Sequence, residues 1–143
     1  QYHNDLHGSD TAQHVSYMLQ NQGIAEWRIQ QLDRLSILVA SLAHDLGHDG
    51  FSNGFHTKFS SNLKQLFGSQ QVQEYWHAAQ TIQLLERTEL DFLSSHFSSQ
   101  ELAVIKKRIV TSILHTDMAL MKELRTDLQS HLDKFGIKNG QNL

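Results

Sequence analysis

At 143 residues the chain is long enough for one domain with a hydrophobic core and too short for two. A hydrophobic content of 39%, a charged content of 19% and a net charge of -3 exclude a disordered chain and lack the basic stripe that nucleic-acid binding needs. Zero cysteines exclude disulfides and thiolate metal sites and fit a reducing, cytoplasmic setting. There is no apolar run of membrane-spanning length and no charged-then-apolar leader, so no membrane contact is expected from this segment. Proline is absent, which suits uninterrupted helices, while ten histidines against twelve Lys plus Arg is a high count.

Helical signals follow one another along the chain. Ser9 and Asp10 predict the cap of a helix running to about Gly23, with Val15, Met18 and Leu19 on one face. A second helix is expected from Ala25 to Gly47, amphipathic at first (Trp27, Ile29, Leu32, Leu35) and then apolar almost all round from Ile37 to Leu46, as a central buried helix would be. The break DGFSNG follows it. Phe55 to Phe67 resumes the helical period, Gly68-Ser69 interrupts it, and Gln70 to Arg87 predicts a third long helix. Ser98 with Glu101 is a capping-box pattern opening a helix that carries Leu102, Ile105, Ile109 and Ile113. A last helix is expected from about Met118 to Lys134. Strand-like alternation is nowhere sustained, so the expected fold class is all-α. The missing initiator Met and the polar tail FGIKNGQNL read as the ends of a piece of a longer protein.

The chemistry gathers around histidine. His44, Asp45 and His48 form H-D-x-x-H at the end of the apolar run, where ionisable groups are costly without a partner. Imidazole and carboxylate are natural ligands of Zn²⁺, Mn²⁺ or Mg²⁺, and a cation supplies such a partner. A hydrogen-bonded polar helix end is the other reading, and the cluster alone leaves both open. His3 and His7 repeat the four-residue spacing at the N-terminus, and Glu74 and His77 stand three apart on another helix. A bundle that converges the three would build a polynuclear metal site. His14, His56, His96 and His131 carry no such pattern and read as surface or hydrogen-bonded core residues, with His115 left open.

Four segments in this order, YHNDLHGSDTAQ, HDLGHDGFSNGF, QEYWHAA and ILHTDMALM, resemble the signature segments of the class I cyclic nucleotide phosphodiesterases, a branch of the HD-domain phosphohydrolases. The resemblance covers essentially the whole chain. It implies a compact multi-helix bundle truncated on its C-terminal side, with residues 1–143 as one incomplete catalytic domain. It implies hydrolysis of 3′,5′-cyclic nucleotides (cyclic AMP, cyclic GMP or both, the currency of signal transduction) to 5′-monophosphates by a metal-bridging hydroxide. Position by position, it implies His7, His44 and Asp45 as ligands of a tight ion, usually zinc. Asp45 would also reach a second ion, Mg²⁺ or Mn²⁺. His3 would be the general acid that protonates the leaving 3′-oxygen. His48 and Glu74 would hold waters and orient groups around the second ion. Asp117 matches a segment near the site floor without a catalytic role, and Asp10 and Asn53 match positions whose duty is a helix cap and a loop lock.

The sequence departs from the family pattern at several points. Asp49 stands where proline is usual and Trp76 where the first histidine of a pair is common; Gly8 and Thr11 replace a common Ala and Val. A further family aspartate that completes the zinc site, and the glutamine clamp that grips the purine, lie beyond the matched stretch; Asp127 and Asp133 are in no matching context. The expectation is therefore a site with most of its metal ligands and little of its base pocket. Exposed apolar surface, a tendency to associate, and little or no turnover should go with it. Another HD-domain phosphohydrolase and a non-catalytic phosphodiesterase-like remnant are the competing readings. The substrate-binding residues cannot be named from the sequence.

Overall fold

The structure, a computed structural model, describes residues 2–20, 29–68, 70–89 and 91–134. They form α1 (Asp5–Gln20), α2 (Gln31–Ala43), α3 (Asn53–Lys58), α4 (Asn62–Phe67), α5 (Val72–Leu85), α6 (Ser99–Leu114), a 3-10 turn (Met118–Leu120) and α7 (Met121–Lys134). Among the described residues there is no strand, and the all-α expectation holds. None of these helices is long and apolar enough to cross a membrane. The expected helix end at Gly23, the start at Ala25 with Trp27, Ser69, and the tail Phe135–Leu143 lie outside the described residues.

α6 is the spine. Its Ile105, Ile109 and Ile113 recur every fourth position, so they line one face, and all three are fully buried. That face packs between α2 and α5, joined by Ala40, Ala78 and Leu93 and flanked by Leu32, Leu35, Val39 and Leu85. The helix opens on the predicted capping box: Ser98 Oγ accepts from the Glu101 N–H, and the Glu101 carboxylate accepts from the Ser98 N–H at 2.9 Å. α7 is polar and contributes no buried residue.

Two expectations about helix 1 are corrected. It begins at Asp5, not after Ser9-Asp10, because Asn4 supplies the cap: its Oδ1 accepts from the His7 N–H at 3.1 Å. Asp10 is exposed in mid-helix beside His14. Of the expected apolar face, Leu19 is buried but Met18 is exposed.

α2 also ends earlier than expected, at Ala43 rather than Gly47. Gly47 has φ +75°, which terminates the helical path, and its carbonyl accepts from Trp76 Nε1 at 2.9 Å. Nor is the apolar run buried all round: Leu42 is 57% exposed, and the buried positions are the small Ser36, Ala40 and Ser41. Small side chains there let α1 and α6 approach α2 from either side. The expected helix over 55–67 is two short ones, because Ser52 and Ser61 each cap a new start and Ser60 takes φ +47° between them.

α1 and α2 come close at Gly8, where a Cβ would meet the Leu42 carbonyl oxygen at 2.6 Å. Replacing glycine by alanine inside a helix ordinarily stabilises by about 0.8–1 kcal/mol. Here the added methyl meets backbone that cannot rotate away, and overpacking of this kind costs about 1–3 kcal/mol. We expect Gly8→Ala to lower the thermal midpoint rather than raise it, as thermal denaturation would show. An increase would mean that α1 yields freely.

Candidate metal and catalytic centre

The site assembles where α1 begins, α2 ends and α5 passes beneath. The turn after α2, residues 44–47, is stabilised by Leu46 N–H to Ala43 O at 3.0 Å, and a further bond runs from His48 N–H to Asp45 O at 3.1 Å. His44, Asp45 and His48 therefore stand on a tight turn rather than on one helical face. The turn still brings them together, with Asp45 at the centre.

Asp45 Oδ2 lies 2.7 Å from His3 Nδ1, 3.3 Å from His7 Nε2 and 3.3 Å from His44 Nε2, and Asp45 Oδ1 lies 4.0 Å from His77 Nε2. Two of these rings are oriented from behind by backbone. His44 Nδ1 is 2.8 Å from the Ser41 carbonyl oxygen, and His77 Nδ1 is 2.8 Å from that of Leu46. In both rings Nε2 faces Asp45: the neutral ring, with Nδ1–H on the carbonyl, offers a lone pair there to a cation, and the protonated ring donates Nε2–H to the carboxylate instead. His3, His7 and Asp45 bring one ligand atom each within 4.8 Å of one another, a group that holds His3 where the sequence reading expected His44, whose Nε2 is nonetheless 3.3 Å from Asp45 Oδ2. Lone pairs and a carboxylate that converge in this way suit a divalent cation with nitrogen and oxygen ligands, so the donor set fits a metal.

His48 stacks on His3 with ring centroids 4.0 Å apart and lies 5.4 Å from the His77 ring. Its Nδ1 accepts from the Gly50 N–H at 2.9 Å. Glu74, in the first turn of α5, accepts from Asn53 Nδ2 at 2.8 Å, while Asn53 Oδ1 accepts from the Gln73 N–H at 2.8 Å. Asn53 is thus the loop lock expected of it and also the residue that aims Glu74.

The electrostatics follow the geometry. Burial raises the proton affinity of Asp45, but hydrogen bonds from His44 and His3 outweigh it and hold this carboxyl well below the usual range. The hydrogen bond to Asp45 raises His44 against the opposing effect of burial. Burial lowers His77 and His48, the latter helped by the nearby His3. Burial raises Glu74 above 4.5, against the hydrogen bond from Asn53, with Asp117 and Asp45 adding like charge.

All six predicted site residues, His3, His7, His44, Asp45, His48 and Glu74, meet in this region. The sequence reading paired His77 with Glu74 by their spacing but gave it no role; it is 2% exposed and its ring faces Asp45. His14, His96, His115 and His131 are exposed and each bonds a backbone carbonyl four residues back. Beside His44 runs an apolar groove of about 390 Å³ lined by Thr11, Val15, Ile37, Ala40 and Met121. Tyr2, Leu6, Tyr17, Met18 and Leu42 are exposed nearby in sequence.

Comparison with known proteins identifies the family. The family model for 3′,5′-cyclic nucleotide phosphodiesterase matches residues 2–142. Among similar proteins is the dual specificity calcium/calmodulin-dependent 3′,5′-cyclic nucleotide phosphodiesterase 1 of Drosophila melanogaster, 33% identical over 140 residues, with 93% of this chain and 16% of that protein covered. The mouse 1C enzyme of the same description is 28% identical, with 90% of this chain and 19% of that protein covered. A probable 3′,5′-cyclic-AMP phosphodiesterase of Caenorhabditis elegans is 29% identical, covering 92% and 19% respectively. The chain belongs to the 3′,5′-cyclic nucleotide phosphodiesterase family, and it spans less than a fifth of the length of these relatives.

Glu74 gives a pH test. Its folded-state proton affinity is raised, so above pH 4.5 the folded chain retains a proton that the unfolded chain has lost, and stability falls as pH rises through that window. Glu74→Gln keeps an oxygen acceptor for Asn53 and removes the titration. We expect the variant to flatten this decline and to be more stable than the unaltered chain at pH 7, by urea denaturation across pH 4–8. An unchanged pH slope would contradict this account of Glu74.

Proposed function

We propose that this chain carries the metal-binding and proton-donating part of a phosphodiesterase site that hydrolyses cyclic AMP, cyclic GMP or both to 5′-monophosphates. The whole of residues 1–143 is then part of one catalytic domain. The observation that supports this most is the convergence of three imidazole nitrogens, from His3, His7 and His44, on one Asp45 carboxylate oxygen.

His7, His44 and Asp45 would hold a Zn²⁺, and Asp45 would face a second ion, Mg²⁺ or Mn²⁺. Two such ions, when bound, make water nucleophilic near neutral pH and neutralise charge on the phosphoryl oxygens. His3 is the proton donor. With Nδ1 on Asp45, it keeps Nε2 for the proton that the leaving 3′-oxygen needs, and its side chain is 38% exposed, open to substrate. Asp45 fixes the orientation of that ring through the 2.7 Å contact at Nδ1. His48, stacked on His3, limits its rotation. Glu74 and His48 would hold waters and orient groups around that second ion. The exposed apolar side chains along α1 and the groove beside His44 support association through that surface.

The test is on the purified chain. We expect elemental analysis after dialysis to find zinc in the unaltered chain and to lose it in His44→Ala and Asp45→Ala. Turnover of cyclic AMP and cyclic GMP with added Mg²⁺ is expected to be low. His3→Asn should reduce what there is by ~10²–10⁴-fold, the usual contribution of a general acid. Failure to take up metal at high added Zn²⁺ would overturn the reading, and robust turnover in His3→Asn would remove His3 from its role.

A further inference from the structure

We propose that Asp49, His56 and Gln73 form a positioning device that holds Glu74 and His48 at the site, a role that rests on the phosphodiesterase reading above. Gln73 is buried, and its amide nitrogen lies 2.6 Å from Asp49 Oδ1, 2.8 Å from the Phe51 carbonyl oxygen and 2.9 Å from His56 Nε2. The Asp49 carboxylate and the Phe51 carbonyl can only accept, and they take the two amide hydrogens; this fixes the amide with its nitrogen inward, because the flipped group would set oxygen against both. That orientation leaves Gln73 Oε1 buried with no hydrogen-bond partner among the described residues. An apolar side chain of similar size would avoid this penalty, so packing alone does not account for a glutamine here.

His56 is the second buried polar group of the network. Its Nε2 is 3.4 Å from Asp49 Oδ2, and its Nδ1 is 2.7 Å from Ser61 Oγ, the cap of α4. Asp49 Oδ1 also accepts the Phe51 N–H at 3.1 Å. Asp49 thereby holds the turn 49–51 from within, while Gln73 fastens it to α5 and His56 fastens it to α3.

Each end of this network is one residue from a site side chain. Asp49 follows His48, and the next amide, Gly50 N–H, donates to the His48 ring. Gln73 precedes Glu74, and its backbone N–H fixes the Asn53 amide that aims the Glu74 carboxylate. Slack in the 49–53 turn would therefore be passed to both residues that would serve a second ion, and less directly to His7, His44 and Asp45. The three residues act through His48 and Glu74, so they are positioning rather than catalytic residues.

The experiment compares the unaltered chain with Asp49→Ala, Gln73→Leu and Asp49→Asn. Zn²⁺ affinity is read by competition with a chromophoric chelator, and Mn²⁺ affinity of the Zn²⁺-loaded chain by the electron paramagnetic resonance of free Mn²⁺. We expect Asp49→Ala and Gln73→Leu to keep their Zn²⁺ affinity and to weaken Mn²⁺ binding by ~10–100-fold, as loss of outer partners does at metal sites. Asp49→Asn, which keeps an oxygen for Gln73 and Phe51, should recover most of the Mn²⁺ affinity. Unchanged Mn²⁺ binding in Asp49→Ala and Gln73→Leu would overturn the positioning role alone. Equal weakening of both ions would overturn it too, because the network would then serve the fold as a whole. If the unaltered chain bound neither ion, the metal reading of the site would fall, and this proposal with it.

Discussion

The structure around the site depends on one half-buried carboxylate. Asp45 is surrounded by imidazoles from three directions: His3 and His7 from the start of α1, His44 from its own turn, and His77 from α5. Placing an ionised carboxylate among half-buried groups is unfavourable unless partners replace the lost water. Hydrogen bonds from His44 and His3 are strong enough to keep it ionised against burial. The elements that deliver these rings share no sequence neighbourhood, so the site exists only when α1, α2 and α5 are docked.

Docking in turn rests on an apolar spine that has no chemistry of its own. Ile105, Ile109 and Ile113 fix α6 between α2 and α5, and the small residues of α2 set how near its neighbours can come. Backbone then does the fine aiming. The carbonyls of Ser41 and Leu46 orient His44 and His77, and Trp76 holds the Gly47 carbonyl in the turn between them. Trp76 stands where the family often has histidine, so in this chain an indole N–H does a bracing job at that position.

Helix existence was legible wherever apolar residues recur at helical spacing, as in α6 with its capping box. Helix ends were less legible. Asn4 and Ser9 are both acceptable caps, and the choice between them is made by where α1 must start for His7 to face Asp45. The stop at Ala43 depends on Gly47 and on Trp76, 29 positions further on, a contact that local pattern cannot contain. His44, Asp45 and His48 stood out because ionisable residues are costly at the end of an apolar run, whereas the full set with its roles came from the resemblance of four segments to the family. His56 was read as a hydrogen-bonded core residue, which it is. Its partners Asp49 and Gln73 come from other segments, so their joint arrangement could be seen only in the fold.

The hydrogen bond between His3 and Asp45 spans 42 positions of chain. Any ion held by residues of α1 and by the turn after α2 would close the same loop and act as a further crosslink between two helices already packed at Gly8 and joined by Arg34 to the Leu19 carbonyl. Loop closure is unfavourable in entropy, and a crosslink formed only in the folded state offsets it. Seating of α1 and occupancy of the ion are then one equilibrium: whatever loosens the first helix empties the centre, and whatever fills the centre clamps the first helix in place.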